Sequence, residues 1–212
     1  MNKASLMALE EYCRQKISAQ SVADQAHDIS HILRVVNNAR NITQHENAQW
    51  QIVLPAAWFH DCVCYPKTHP LRAQSAYLAA DQAIEWLQQW GYPVHYLPQV
   101  HHAIVAHSYS AGVIPTTIEA KIVQDADRLD ALGAIGLARC LQVGGTQQLA
   151  LYDCDDPFCH QRLPDDKTYI LDHYFQKLRH LSSQLHTNVA KKEAEQRLLF
   201  LEQFMTQLAS EI

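Results

Sequence analysis

The sequence is poor in glycine, and this scarcity excludes two common enzyme designs. Only six of its 212 residues are glycine, and it contains no Gly-rich loop whose backbone amides would cradle a phosphate. A Gly-x-Ser-x-Gly nucleophile elbow is missing as well. The chain is therefore neither a P-loop nucleotide hydrolase nor a serine hydrolase of the nucleophile-elbow type.

Long apolar runs and an excess of positive charge are also missing. No stretch approaches the length that spans a bilayer, and the first ten residues, MNKASLMALE, lack the apolar core of a signal peptide. We therefore expect a cytoplasmic protein without a membrane partner. The formal charge of -5 gives no general attraction for a polyanion, which argues against long nucleic acid. A small phosphate ester needs only a local cluster of cations.

The cysteines do not indicate a disulfide framework. In a mid-sized chain expected in a reducing compartment, we predict free thiols. A structural zinc site would need four ligands, commonly in closely spaced cysteine pairs, and neither Cys62 with Cys64 nor Cys154 with Cys159 and His160 supplies them. The six cysteines are Cys13, Cys62, Cys64, Cys140, Cys154 and Cys159.

Apolar residues recur with helical spacing along almost the whole chain, and no series of alternating strands is present. The pattern predicts an all-α, irregular helical bundle. One predicted helix carries His31 near its start, and a second ends at His60 and Asp61. A third helix is predicted over 71–90 and a fourth over 94–107. Gly91 and Pro93 follow the third of these as helix-stop signals. Thr116 and Glu119 have the spacing of a capping box for a further helix.

The length favours a single domain over 1–212. We expect a motif-bearing core over about 22–140 and C-terminal helices over 168–212 that pack on it. The polar stretch 153–167 contains two prolines and is expected to be a long surface loop, which could form a lid. A homodimer stays open as an assembly.

The abundant residue is histidine, with 13 copies, several beside aspartates. The pair His60-Asp61 follows an apolar stretch in AAWFHDCVCYPK, where a divalent cation would offset the cost of burying both side chains. His31 lies upstream in AHDISHILRVVNNARNI. Asp125 and Asp127 lie downstream in KIVQDADRLDALGAIGLAR. Because they are two residues apart on a helix, only one of the two can easily reach a shared metal.

This order of a histidine, a His-Asp pair and a distant aspartate resembles the HD superfamily of metal-dependent phosphohydrolases, over roughly residues 22–140. The chain looks most like the small, single-domain bacterial members. The resemblance implies a metal site of His31, His60, Asp61 and Asp127, the last chosen over Asp125 because Arg128 and Leu129 follow it. His27 and Asp28 stand at the wrong end of the pattern for the His-Asp pair; they are expected to line the pocket or cap a helix.

Two imidazoles and two carboxylates would leave positions on the ion for water and a phosphate oxygen. The set suits one divalent ion, which could be Mn, Fe, Co, Ni, Mg or Zn; a second metal is less favoured. Asp61 is both ligand and catalytic residue, Asp130 is expected to orient a ligand histidine, and His107 to contact phosphate or donate a proton. The candidate substrate-binding residues are Lys67, Arg72 and His102, with Trp58, Tyr65 and Tyr109 as candidate base-stacking aromatics.

The implied function is hydrolysis of a small phosphate ester by a metal-activated water. The resemblance suggests a nucleotide, cleaved either as a nucleoside triphosphate to monophosphate and pyrophosphate or as a monophosphate. The alternatives are a cyclic-nucleotide or alarmone phosphodiesterase, and a regulatory module that binds metal and nucleotide without turnover.

Overall fold

The computed structural model describes residues 2–20, 29–65 and 69–212. The expected all-α bundle is confirmed, since the described residues form nine α-helices: α1 Lys3–Ser18, α2 Ile29–His45, α3 Trp50–Phe59, α4 Ser75–Trp90, α5 Leu97–His107, α6 Ile118–Asp130, α7 Gly133–Thr146, α8 Asp172–Gln176 and α9 Asn188–Ala209. Short 3₁₀ turns cover Arg72–Gln74, Val94–Tyr96, Tyr109–Ala111, Leu178–His180 and Ser182–Gln184. In these same residues the β-type pairing is an isolated parallel bridge between Ala150 and Tyr169. No helix in the described part of the chain is long and apolar enough to cross a membrane.

Backbone contacts divide the chain into two compact units, residues 1–127 and 128–212. In the first unit α3 packs against α1, α2, α4 and α5. Every residue from Ile52 to Phe59 is buried, because this segment is almost wholly apolar and every face of it can enter the core. The expectation of a single domain over 1–212 stays a prediction.

Helix α3 contains a proline, and the protein compensates for it. Pro55 lacks the N–H that would bond to the carbonyl of Gln51, four residues earlier. The buried hydroxyl of Tyr92 donates a hydrogen bond to that same carbonyl. Tyr92 stands directly after Gly91, whose left-handed backbone (φ +81°) ends α4. The predicted helix stop is thus confirmed, and it places the Tyr92 hydroxyl on the carbonyl that Pro55 leaves without an intrahelical partner.

Two helix starts differ from the sequence analysis. The α-helices begin at Ser75 and Leu97 and not at 71 and 94, because each is preceded by a 3₁₀ turn.

The predicted capping box is wrong. Thr117, and not Thr116, caps α6 by accepting a hydrogen bond from the N–H of Ala120 at 3.2 Å, while Glu119 accepts one from the N–H of Gln49 at 3.0 Å, at the start of α3.

In the second unit α9 packs against α7, and the stretch 153–167 contains no helix or strand, as expected. Hydrogen bonds to two carboxylates hold the irregular stretch 153–167 in place. The fully buried carboxylate of Asp172 accepts two hydrogen bonds from the guanidinium of Arg162, and Asp156 accepts hydrogen bonds from the N–H groups of three consecutive residues, 160–162. Its role as a lid stays a prediction.

Candidate metal centre

Four helices bring one cluster of side chains together in the first unit. His31 lies in the first turn of α2, His60 and Asp61 follow the last residue of α3, His107 ends α5, and Asp127 lies near the end of α6. Packing of these helices in the core brings the polar side chains together, although 96 positions of sequence separate His31 from Asp127.

A carboxylate oxygen of Asp61 and one of Asp127 each lie within 4.0 Å of both His31 Nε2 and His60 Nε2. The two Nε2 atoms of His31 and His60 are 3.3 Å apart. Asp127 Oδ1 lies 3.5 Å from His31 Nε2 and 4.0 Å from His60 Nε2. Asp61 Oδ2 lies 3.7 Å from His60 Nε2 and 4.0 Å from His31 Nε2.

The main chain fixes which nitrogen His60 presents to this cluster. Its Nδ1 lies 2.8 Å from the carbonyl oxygen of Ala57 and donates its proton there, so neutral His60 presents the lone pair of Nε2 to the cluster. Burial is the main reason that the pKa of His60 is lowered to about 4, and the ring is therefore neutral near pH 7. Neutral imidazole is the form that binds a metal.

These distances fit one divalent ion. Metal bonds to imidazole nitrogen and carboxylate oxygen are about 2.0 to 2.2 Å long, so two donors on one ion lie between about 3 Å and about 4.4 Å apart, depending on the angle between them. The separations above, from 3.3 to 4.0 Å, all lie in this range. A cation between the buried nitrogen lone pair and the two carboxylate oxygens would also offset the repulsion among these electron-rich atoms.

The two carboxylates of the cluster are partly exposed. The side chains of His31 and His60 are buried, whereas 16% of the Asp61 side chain and 30% of the Asp127 side chain are exposed. Both carboxylates are therefore accessible to water and a small ligand. An ion held only by these four residues would keep open coordination positions for water and a small ligand.

The structure places Asp127, and not Asp125, in the cluster. Asp125 is fully buried. Among the described residues two groups of side chains have a geometry that would suit a metal, and Asp125 is in neither: one is His31, His60 and Asp127, the other His60, Asp61 and His107. Two residues along a helix correspond to a rotation of about 200°, which sends the two carboxylates to different sides of α6.

His107 joins the cluster through the second oxygen of Asp61. Its Nε2 lies 3.4 Å from Asp61 Oδ1, and its Nδ1 donates to the carbonyl of Ile104 at 2.5 Å. Burial alone would lower the pKa of His107, but the hydrogen bond to Asp61 and the neighbouring carboxylates outweigh it, and the pKa is raised. His107 is thus suited to hold a proton against Asp61, while Asp61 turns its other oxygen toward His60.

The other predicted residues either form the contacts given below or lie outside the described residues. Asp130 accepts a hydrogen bond from Arg139 at 2.7 Å, so its contact with a ligand histidine stays a prediction. The Nε2 of His102 contacts the backbone N–H and hydroxyl of Thr116 at 3.1 and 3.0 Å. It stands five residues before His107, about 140° around α5. Lys67, like His27 and Asp28, lies outside the described residues.

Arg72 lies in the 3₁₀ turn before α4. Its Nη1 donates to the Tyr65 carbonyl at 2.7 Å and lies 2.9 Å from Cys64 Sγ. Among the described residues no carboxylate forms an ion pair with this guanidinium. Since Cys64 and Tyr65 follow Asp61 by three and four residues, Arg72 is tied to the segment that leaves the cluster.

Of the three candidate base-stacking aromatics, Trp58 is part of the core and fully buried. Tyr65 stacks on His69, with the ring centroids 4.3 Å apart. Tyr109 is 84% exposed and stands two residues after His107. Tyr109 is therefore the most exposed of the three rings and is close in sequence to His107.

Two amides beside the cluster were missed by the sequence analysis. Gln124 Nε2 donates to the carbonyl of Ala106 at 2.7 Å, and Asn38 Nδ2 donates to the carbonyl of Ala126 at 3.1 Å. A signal existed in each case. Asn38 follows His31 by seven residues, and Gln124 precedes Asp127 by three, so each shares a helix face with a predicted ligand.

Comparison with known proteins agrees with this geometry. A family model for the HD domain matches residues 28–132. The YpgQ protein of Bacillus subtilis (strain 168) is 33% identical over 190 residues, which is 88% of this chain and 84% of that protein. The chain belongs to the HD superfamily.

Solved structures show the same HD-superfamily relationship. The crystal structure of Bacillus subtilis YpgQ in complex with ADP matches with a TM-score of 0.75 and 32% identity, over 96% of this chain and 97% of that chain. An HD-superfamily hydrolase from Bacillus thuringiensis matches with a TM-score of 0.74 and 30% identity, over 99% of this chain and 97% of that chain. Membership of the HD superfamily agrees with a His/Asp cluster that can hold a divalent metal.

Proposed function

We propose that this HD-superfamily protein is a metal-dependent phosphohydrolase whose substrate is a nucleotide. The observation that carries the proposal is the convergence of His31, His60, Asp61 and Asp127 at separations that suit a single divalent ion. The partly exposed carboxylates of Asp61 and Asp127 leave the site accessible to a phosphate ester. The ADP complex of Bacillus subtilis YpgQ supports a nucleotide as the ligand class.

A divalent ion bound by these four side chains would lower the pKa of a bound water and stabilise negative charge on a phosphoryl group. The protein contributes the rest. His60 is held neutral and oriented by the Ala57 carbonyl. Asp61 presents Oδ2 to the cluster and Oδ1 to His107, so it can accept a proton from the attacking water. His107 Nε2, 3.4 Å from Asp61 Oδ1, can hold a proton beside Asp61 for the leaving group.

Arg72 is our candidate for a second phosphate contact. Its recorded hydrogen bonds use Nη1 alone, so within the described part of the chain Nη2 and Nε stay available. Two neutral acceptors fix the position of the guanidinium without neutralising its charge, which suits bidentate binding of a phosphate. Lys67 keeps its predicted role as a further cation. His102 is disfavoured, because Thr116 already occupies its Nε2.

The test is a panel of nucleoside mono-, di- and triphosphates, cyclic nucleotides and alarmones, each assayed with several divalent metals including Mn²⁺. We expect release of phosphate or pyrophosphate from at least one nucleotide, and loss of that activity in Asp61→Ala. Cleavage restricted to cyclic nucleotides or alarmones would select the phosphodiesterase alternative. Tight metal and nucleotide binding without turnover would contradict the enzyme and select the regulatory module.

A further inference from the structure

Gln124 forms a buried link between the helices that carry Asp127 and His107. Its side chain is only 4% exposed, and its Nε2 donates to the Ala106 carbonyl at 2.7 Å. Ala106 is the residue directly before His107 in the last turn of α5. Gln124 itself stands on α6 one turn before Asp127, about 60° around the helix from it.

The position of this hydrogen bond gives it a specific effect. The last four carbonyls of a helix have no intrahelical partner, and in α5 three of these groups have other donors. The carbonyl of Ile104 accepts from the ring of His107 at 2.5 Å, that of Val105 from the N–H of Ser108 at 3.4 Å, and that of Ala106 from Gln124. The hydrogen bond from His107 to the Ile104 carbonyl, which orients the His107 ring, therefore lies in the same helical turn that Gln124 contacts.

We propose that Gln124 is a positioning residue for His107. It fixes the last turn of α5 against α6, so that His107 Nε2 stays directed at Asp61 Oδ1. This inference rests on the proposed function for its kinetic consequence, since His107 must contribute to turnover. A glutamine with a purely structural role would affect stability but would not act through His107.

The kinetic test uses Gln124→Met, which keeps the length of the side chain and removes the donor. The matched control is Tyr12→Phe, which removes another side-chain hydrogen bond to a backbone carbonyl in the same unit, from the Tyr12 hydroxyl to Trp86 at 2.7 Å. We expect kcat to fall about tenfold or more in Gln124→Met, because small displacements of reacting groups are costly, with KM and metal content unchanged. Tyr12→Phe is expected to keep the wild-type kcat.

A double-variant cycle distinguishes positioning from general destabilisation. If Gln124 acts through His107, the variant Gln124→Met with His107→Ala will be within about twofold of His107→Ala alone. Three results would each overturn the proposal: losses of kcat that multiply in the double variant, an unchanged kcat in His107→Ala, or a loss of kcat in Tyr12→Phe equal to that in Gln124→Met.

A second measurement needs no turnover, so it separates a failure of this inference from a failure of the proposed function. In the NMR spectrum, the Nδ1 proton of His107 is assigned by its loss in His107→Ala. We expect this proton to be protected from exchange in the wild type and to exchange at least tenfold faster in Gln124→Met. Equal exchange in the two folded proteins would overturn the positioning role, even if no nucleotide were cleaved.

Discussion

Replacing Asp127 by asparagine should weaken metal binding while leaving the shape of the side chain almost unchanged. Asp127 Oδ1 is 3.5 Å from His31 Nε2 and 4.0 Å from His60 Nε2, so the substitution removes a negative charge from the middle of the donor set. Changes of residues that merely support metal ligands typically cost 10- to 100-fold in affinity. For a direct ligand we expect at least about 100-fold.

The expected change in thermal stability follows from that factor. A metal at about 100 times its Kd stabilises the folded state by about 2.7 kcal/mol, and at a concentration equal to Kd by only about 0.4 kcal/mol. A hundredfold loss of affinity therefore removes about 2.3 kcal/mol of metal-dependent stabilisation. For a chain of this length, that corresponds to a smaller metal-induced rise in Tm by roughly 5 to 9 °C.

The assay is thermal unfolding of each variant with and without added Mn²⁺, so that differences in metal-free stability cancel. Asp125→Asn is the matched control, since it makes the same change two residues away on α6, at a fully buried carboxylate. We expect Asp125→Asn to keep the metal-induced rise in Tm. A full rise in Asp127→Asn, or its loss in Asp125→Asn, would refute the assignment of Asp127.

Two further predictions concern the fold. Gly145→Ala in α7 should stabilise the protein by about 0.5 to 1 kcal/mol in urea unfolding, because the added Cβ would meet no atom within 4 Å. Gly144→Ala should destabilise it, because the added Cβ would lie 2.4 Å from Ile170 Cγ1. Equal effects of the two substitutions on the free energy of unfolding would contradict this reasoning. Trp58→Phe should destabilise the protein by no more than about 1 kcal/mol. The lost ring volume costs about 1 to 2 kcal/mol. The buried Trp58 Nε1 has no hydrogen-bond partner among the described residues, and removing it recovers about 1 to 3 kcal/mol. A loss above about 3 kcal/mol would show that this N–H is satisfied.

Much of the helical framework followed from the sequence because its signals are local. The apolar spacing in α2 and α3 placed His31 near the start of one helix and His60 at the end of another, and Gly91 marked the end of α4. The boundaries that failed depend on tertiary contacts. Thr116 was a plausible cap by spacing, but its hydroxyl contacts His102, and Glu119 bonds to the backbone of Gln49.

The candidate site divides in the same way. The order of His31, His60, Asp61 and Asp127 is visible in the sequence, and the structure brings these four together. Three contacts were not predictable from the sequence. They are the contact of His107 with Asp61, the hydrogen bond from Gln124 to Ala106 and the ion pair of Arg139 with Asp130. Each depends on which carbonyl or charged group a neighbouring turn or helix presents to a side chain.

Metal content tests the central claim most directly, because the whole account depends on one divalent ion held by His31, His60, Asp61 and Asp127. Wild type and His60→Ala would be loaded with Mn²⁺, freed of excess metal and analysed for bound manganese, with circular dichroism to establish that both are folded. We predict close to one ion per chain in the wild type and almost none in folded His60→Ala. Equal metal content in the two folded proteins would contradict the account.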